Sequence, residues 1–274
     1  MQLVEARGRT AALGVDHQRR SPPGSPLPKC SQFGTDGTAD RSPTARPLSL
    51  EPANDNRRLF LSGIILAAGT STRMGRAKQL LPLDDRPLLQ HVVDATAASC
   101  LDEIILVLGH HAEEIRTAIH CPERVRVVLN TEYAEGQSTS LRAGLRAASP
   151  RTEAAAVLLG DQPRVTAQLI DRVAAAFANS AACVVRPVYS EVGGHSVPGH
   201  PVFWARRVWP DIDKLRGDQG ARALLIAHPE WLLEVSVEGE APGDVDTWED
   251  YRFSVGYAAP STLPVTADDL RGRT

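Results

Sequence analysis

Ile64 to Lys78 reads I-I-L-A-A-G-T-S-T-R-M-G-R-A-K. The apolar run Gly63 to Ala67 has the composition of a buried strand and ends abruptly in small residues. A flexible, cationic turn follows, carrying Gly69, Thr70, Ser71, Arg73, Gly75 and Lys78. A strand fixes position, small residues let backbone N–H groups approach an anion, and two long cations reach charge that amides cannot neutralise. The order of parts therefore reads as a loop for a nucleotide triphosphate. It is not a Walker loop: Lys78 is followed by Gln79, and its spacing from the glycines does not fit G-x-x-x-x-G-K-[ST]. The dinucleotide pattern G-x-G-x-x-G is absent too.

Outward from this stretch, strand-like and helix-like runs alternate. Pro87 to Ser99 has helical spacing, with Pro87 suited to a first turn. Glu103 to Leu108 reads as a second buried strand, Ala112 to Ile119 as a short amphipathic helix, and Val125 to Leu129 as a third strand. A polar loop, Asn130 to Ser138, leads into a helix to about Ala148, and Ala154 to Leu159 forms a fourth strand stopping at Gly160-Asp161-Gln162-Pro163. A helix over Thr166 to Ala178 and a strand over Ala182 to Pro187 follow. The second half is less regular. A glycine-rich loop, Gly193 to Pro201, precedes a strand at Val202 to Trp204; helices are expected around Arg207 to Leu215 and from Ala221 to His228. Trp231 to Val237 is the last strand, and Gly243 to Thr247 opens a short helix through Tyr251.

Short β-branched runs separated by helices predict a three-layer α/β fold: a mostly parallel sheet with helices on both faces, Rossmann-like in outline. Ligands of such sheets sit beyond the carboxyl ends of the strands. The loops after Ala67, Leu129 and Leu159 share that edge and are expected to converge.

Residues 1–58 differ from the rest, being rich in Arg, Ser, Pro, Gly and Thr without apolar periodicity. They are expected to be a disordered extension or the product of an upstream start codon; acidic residues such as Glu5 and Asp16 weaken a transit-peptide reading. Residues 59–256 are expected to form one domain, and 257–274 a flexible tail. A formal net charge of -3 argues against a general nucleic-acid binder. The four cysteines show no metal spacing, and no apolar run approaches membrane-spanning length, so no membrane partner and a cytoplasmic location are expected.

Two acidic features complement the cationic loop. Asp161 follows a buried strand within a turn that Pro163 stiffens, a suitable place for a hard, oxygen-ligated cation such as Mg2+. In Asp244-Val245-Asp246-Thr247, alternate carboxylates of an extended segment could share a metal; the competing reading is a capping box formed by Thr247 with Glu249 or Asp250. Phosphate-binding cations with separated acidic loops are the equipment for transfer at phosphorus, where a protein mainly positions reactants and neutralises charge. The eight histidines form no zinc pattern; His110-His111 is expected at a strand end, and His195 and His200 in a loop able to touch substrate.

L-A-A-G-T-S-T-R-M-G-R-A-K-Q-L-L-P (Leu66 to Pro82) resembles the signature loop of nucleotidyltransferases with the glycosyltransferase-A-like, nucleotide-diphospho-sugar transferase fold. The rest resembles their molybdenum cofactor cytidylyltransferase branch: Gly136 to Leu145, Gly160 to Pro163, Gly199 to Phe203, Gly217 to Arg222 and Asp244 to Tyr251, over about residues 61–253. The resemblance implies that CMP passes from CTP to the terminal phosphate of Mo-molybdopterin, with release of pyrophosphate. A molybdenum hydroxylase would then receive the product. It also implies site roles. Leu66, Ala67, Ala68 and Gly69 hold the nucleotide, Arg73 and Lys78 bind phosphates, and Gly136 and Ser140 read the base. Asp161 and Asp246 hold Mg2+, while Gly199, His200, Pro201, Gly220 and Arg222 lie on the acceptor side. Ala68 favours cytidine, since the guanylyl branch typically reads L-A-G-G. The segment before Gly199, with Gly193, Gly194 and His195, is longer than usual for the family and leaves the exact acceptor open.

Overall fold

The computed structural model describes residues 58–190, 196–217 and 221–256. Expectations for residues 1–57 and 257–274, and for Gly193, Gly194, His195 and Gly220, lie outside the described residues. The elements run β1 (Leu61–Ala67), β2 (Pro82–Leu83), β3 (Arg86–Pro87), α1 (Leu88–Ala97), β4 (Glu103–Leu108), α2 (Ala112–Ala118), β5 (Val125–Leu129), α3 (Gln137–Ala147), β6 (Ala154–Leu159) and α4 (Ala167–Ala178). They continue with β7 (Val184–Ser190), β8 (Ser196–Pro198), β9 (Val202–Ala205), α5 (Trp209–Ile212), α6 (Arg222–Ala227), β10 (Leu232–Val237) and α7 (Trp248–Gly256).

The main sheet has the order β10-β7-β9-β6-β1-β4-β5, with β8 beside β7. β1 lies between β4 and β6, parallel to both, with Leu66 opposite Val107 on one side and Leu159 on the other. Period-two alternation divides the core into two faces. Ile104, Leu106, Leu108, Ala154, Ala156 and Leu158 pack toward α1, α2 and α4. Ile105, Val107, Ala155 and Val157 pack toward α3 and the Trp209–Leu215 segment. Burial on both faces explains why these strands read as continuous apolar runs. Each fully buried Ile or Leu contributes about 1.5–3 kcal/mol.

The sheet is mostly parallel, as expected; β9 runs antiparallel between β6 and β7. β8 and β9 return along β7 in succession, Val197 opposite Tyr189 and Phe203 opposite Val185. A parallel crossover takes a dozen or more residues, usually a helix, and among the described residues no helix separates β7 from β9. The ladder is interrupted at Gly199-His200-Pro201, where Gly199 N–H donates to Pro187 O at 3.0 Å. The β7 strand also extends three residues past the expected Pro187, because this hairpin prolongs it. The β2–β3 hairpin was not expected. Asp84 and Asp85 take φ of 48° and 62°, a left-handed pair suited to a two-residue turn. The segment expected helical over Arg207 to Leu215 is a 3₁₀ turn (Arg206–Val208) followed by α5. Among the described residues no helix is long and apolar enough to cross a membrane.

Candidate active site

Three loops meet at the carboxyl edge of β1 and β6. The first leaves β1 at Ala68 and returns at Lys78, which opens a 3₁₀ turn, Lys78–Leu80. Its bend is left-handed at Ser71 (φ 51°) and Gly75 (φ 68°) and is closed by Ser71 O accepting from Met74 N at 3.0 Å. Buried Gln79 ties the loop down: its Nε2 donates to Ala67 O at 3.3 Å, and its Oε1 accepts from Ser71 Oγ at 3.4 Å. Ser71 Oγ accepts in turn from Lys78 N at 3.3 Å.

The second loop holds Asp161 and the third holds Asp246. Lys78 Nζ lies 2.6 Å from Asp161 Oδ2 and 2.7 Å from Asp246 Oδ1. Arg73 Nη1 approaches Asp246 Oδ2 at 3.5 Å from a largely exposed position. Burial works against the Lys78 charge, but the Asp161 and Asp246 carboxylates outweigh it and hold its pKa above the ordinary lysine value. Burial pushes the Asp161 carboxyl up, Lys78 pulls it down, and Asp244 and Asp246 add to the rise. Asp161 Oδ1 is buried and has no hydrogen-bond partner among the described residues.

Asp244 and Asp246, the alternate carboxylates of that segment, meet different protein partners. Asp244 Oδ1 accepts from Gln162 Nε2 at 2.6 Å, while Asp246 meets Lys78 and Arg73. Val245 between them is fully buried, and its N–H donates to Asp161 O at 3.0 Å. The capping reading of Thr247 holds alongside: Thr247 Oγ1 accepts from Asp250 N, and Asp250 Oδ2 accepts from Thr247 N and Asp246 N.

Two cavities flank this cluster. The smaller, about 360 Å³, is lined by Leu66, Ala67, Ala68, Gly69, Lys78, Tyr133, Gly136, Ser140 and Asp161 among others. Gly136 takes φ 110° at the entry to α3, a conformation that L side chains rarely adopt. Ser140 is buried, and its Oγ accepts from Asn130 Nδ2 at 2.9 Å. Gly109 has no room for a side chain, since a Cβ there would lie 2.7 Å from Tyr133 Cβ and 2.8 Å from Ala68 Cβ. The larger cavity, about 790 Å³, contains Gly199, His200, Arg222, Arg186 and Asp244 over an apolar floor that includes Leu141, Val157 and Trp204. Leu66, Gln137 and Leu159 border both cavities. Pro201 is buried, and burial lowers the His200 pKa to about 4, with Asp161 opposing and Arg186 adding to the drop.

Of the expected site residues within the described segments, Leu66 to Gly69, Lys78, Gly136, Ser140 and Asp161 border the smaller cavity, and Gly199, His200 and Arg222 border the larger. Arg73 and Asp246 line neither cavity but meet each other beside Lys78, and Pro201 is buried without lining either. Gln79, Tyr133, Gln162 and Arg186 were not singled out as site residues in the sequence, where a lone polar or aromatic residue carries no spacing signal. His110-His111 lies beyond the end of β4; His111, φ 56°, precedes α2. Among the described residues no group of three or more His, Cys, Asp or Glu converges as a ligand set. Two carboxylates fit Mg2+, which commonly takes one or two from protein and the rest from water and substrate phosphates.

The sequence profile of the MobA-like NTP transferase domain matches residues 63–231. Nicotine blue oxidoreductase of Paenarthrobacter nicotinovorans is 30% identical over 70% of this chain and 96% of its own length. Purine catabolism protein PucB of Bacillus subtilis is 31% identical over 71% and 96%. Molybdenum cofactor cytidylyltransferase of Escherichia coli is 26% identical over 69% and 92%. The crystal structure of Rv0371c from Mycobacterium tuberculosis aligns with TM-score 0.64 and 32% identity, covering 73% of this chain and 99% of that one. A manganese complex of the same protein aligns at TM-score 0.60 and 32% identity, over 72% and 98%.

Proposed function

This chain belongs to the MobA-like NTP transferase family, and on that footing we propose that it moves CMP from CTP to the terminal phosphate of Mo-molybdopterin, releasing pyrophosphate. The observation that carries the reading is the convergence of Lys78, Asp161 and Asp246 from three distant segments at one strand edge, between two cavities.

In this reading the smaller cavity takes the nucleotide. Leu66 to Gly69 present backbone to it, Gly136 and Ser140 face the base, and the Ala68 methyl narrows the floor in favour of cytosine. Arg73 and Lys78 supply positive charge to the triphosphate. Asp161 and Asp246 would hold Mg2+, whose charge helps neutralise the phosphates when it is bound. The acceptor enters the larger cavity, ring against the apolar floor, with Arg186 and Arg222 at its charged end and Gly199, His200 and Pro201 shaping its wall. Gly220, expected on this side, lies outside the described residues.

The acceptor phosphate oxygen attacks the α-phosphorus in line, one P–O bond forms, and the bond to the β-phosphate oxygen breaks. The nucleophile is already ionised near neutral pH, so no general base is required. Repulsion between two anionic reactants is the principal obstacle, and preorganised cations answer it. The product fits delivery to a molybdenum hydroxylase.

Incubation with Mo-molybdopterin and each of four NTPs, followed by mass analysis, tests the reading. Cytidine-dinucleotide product with CTP alone is expected. GTP-dependent product would assign the guanylyl reaction, and tight cofactor binding without NTP turnover a carrier. The relative named an oxidoreductase favours a second reading, redox chemistry in the same cavities; saturable NAD(P)H binding would support it.

A further inference from the structure

The Lys78 ammonium occupies the place on which the two candidate ligand carboxylates converge. Asp161 Oδ2 and Asp246 Oδ1 stand 2.6 Å and 2.7 Å from the same Nζ, on a side chain only 11% exposed. One point between two carboxylates accommodates one cation. A divalent ion arriving alone must either displace an ammonium held by two partly buried ion pairs or sit beside it against like-charge repulsion. The pair is not completed by the lysine, since Asp161 Oδ1 stays buried and unpartnered among the described residues. A finished structural ion pair would satisfy that oxygen. Lys78 also lines the smaller cavity, so a polyphosphate there offers its ammonium a second set of anionic oxygens within reach.

We propose that Lys78 is the resident counter-ion of the Asp161–Asp246 pair, keeping free divalent metal out until a polyphosphate draws the ammonium away. Metal and triphosphate then enter as a linked pair, each raising affinity for the other by the same factor. The inference rests on reading Asp161 and Asp246 as metal ligands.

The test uses Mn2+ alone, without nucleotide, its bound fraction read by electron paramagnetic resonance on the full chain, on Lys78→Met and on Lys78→Met with Asp161→Asn. Lys78→Met is expected to bind Mn2+ at least about tenfold tighter than the unaltered chain, within the usual range of coupling between sites. The added Asp161→Asn change should abolish the gain. Equal affinity in the first two proteins, or a gain that survives Asp161→Asn, overturns the proposal. Should Lys78→Met fail to fold, the unaltered chain with 15N-labelled lysine keeps the proposal falsifiable. Its Lys78 ammonium resonance should move with inorganic tripolyphosphate and stay put with MgCl2 alone; movement with MgCl2 alone refutes the exchange. Neither readout involves turnover, so a chain that fails to transfer CMP can still pass or fail here.

Discussion

Asp161 is the residue on which most of the site depends, and it stands in a poor environment for a carboxylate. Burial disfavours its charge, and Lys78 is its immediate support. Asp161→Ala removes one of two converging carboxylates, and CTP-dependent pyrophosphate release is expected to fall about 10²–10³-fold; a rate near that of the unaltered chain would remove Asp161 from the mechanism. His200 titrates in the opposite sense. Its folded pKa of about 4 lies below the ordinary 6.5, so the folded chain binds fewer protons than the unfolded chain between those values. The associated stability is fully present above pH 6.5 and lost as pH falls toward 4, roughly 3 kcal/mol at most. His200→Gln should flatten the urea midpoint between pH 6.5 and 4.5. A slope as steep as that of the unaltered chain would mean other groups carry it.

At the scale of elements, α3 must lie very close to β1 for its first turn to line the smaller cavity. Gly144 allows this, since a Cβ there would sit 2.4 Å from Ile64 Cγ2 and 3.2 Å from Val107 Cγ2. Ile64 is fully buried and branched, so it has little room to yield. On an exposed helix Gly→Ala adds about 1 kcal/mol of stability. Here Gly144→Ala is expected to cost about 1–3 kcal/mol by overpacking and to raise the KM for nucleotide. Urea unfolding and steady-state kinetics check both, and a stabilised variant would show that α3 can shift freely. The strands and longer helices were legible because their apolar periods are unambiguous. The antiparallel β9 and the β2–β3 hairpin were not. Direction is invisible in a four-residue apolar run, and Asp-Asp is a weak turn signal beside Asn-Gly.

Across the whole molecule, the candidate metal pair exists because a late segment is fastened to the β6 turn. Val245 N–H to Asp161 O and Gln162 Nε2 to Asp244 Oδ1 make that attachment, and Asp246 then reaches Lys78. Gln162→Ala is expected to raise the Mg2+ concentration needed for half-maximal rate several-fold while leaving kcat at saturating Mg2+ within about twofold, the behaviour of a positioning residue rather than a ligand. A fall in kcat at an unchanged metal requirement would contradict this. We further propose that residues 59–256 suffice as the transferase domain. A chain cut to those residues should release pyrophosphate with CTP at the rate of the full chain, and loss of folding or activity would show that flanking residues contribute.

The sequence alone determined the strand–loop–cation order of Ile64 to Lys78, the α/β class and the family, because these depend on local composition and period. It also brought Asp161 and Asp246 forward by their neighbours. Only the tertiary structure decided that Lys78 lies between those two carboxylates, that Asp244 turns instead to Gln162, and that a hairpin break puts His200 at the larger cavity. Those outcomes depend on which distant backbone groups satisfy one another at a crowded sheet edge, and local spacing carries no record of that.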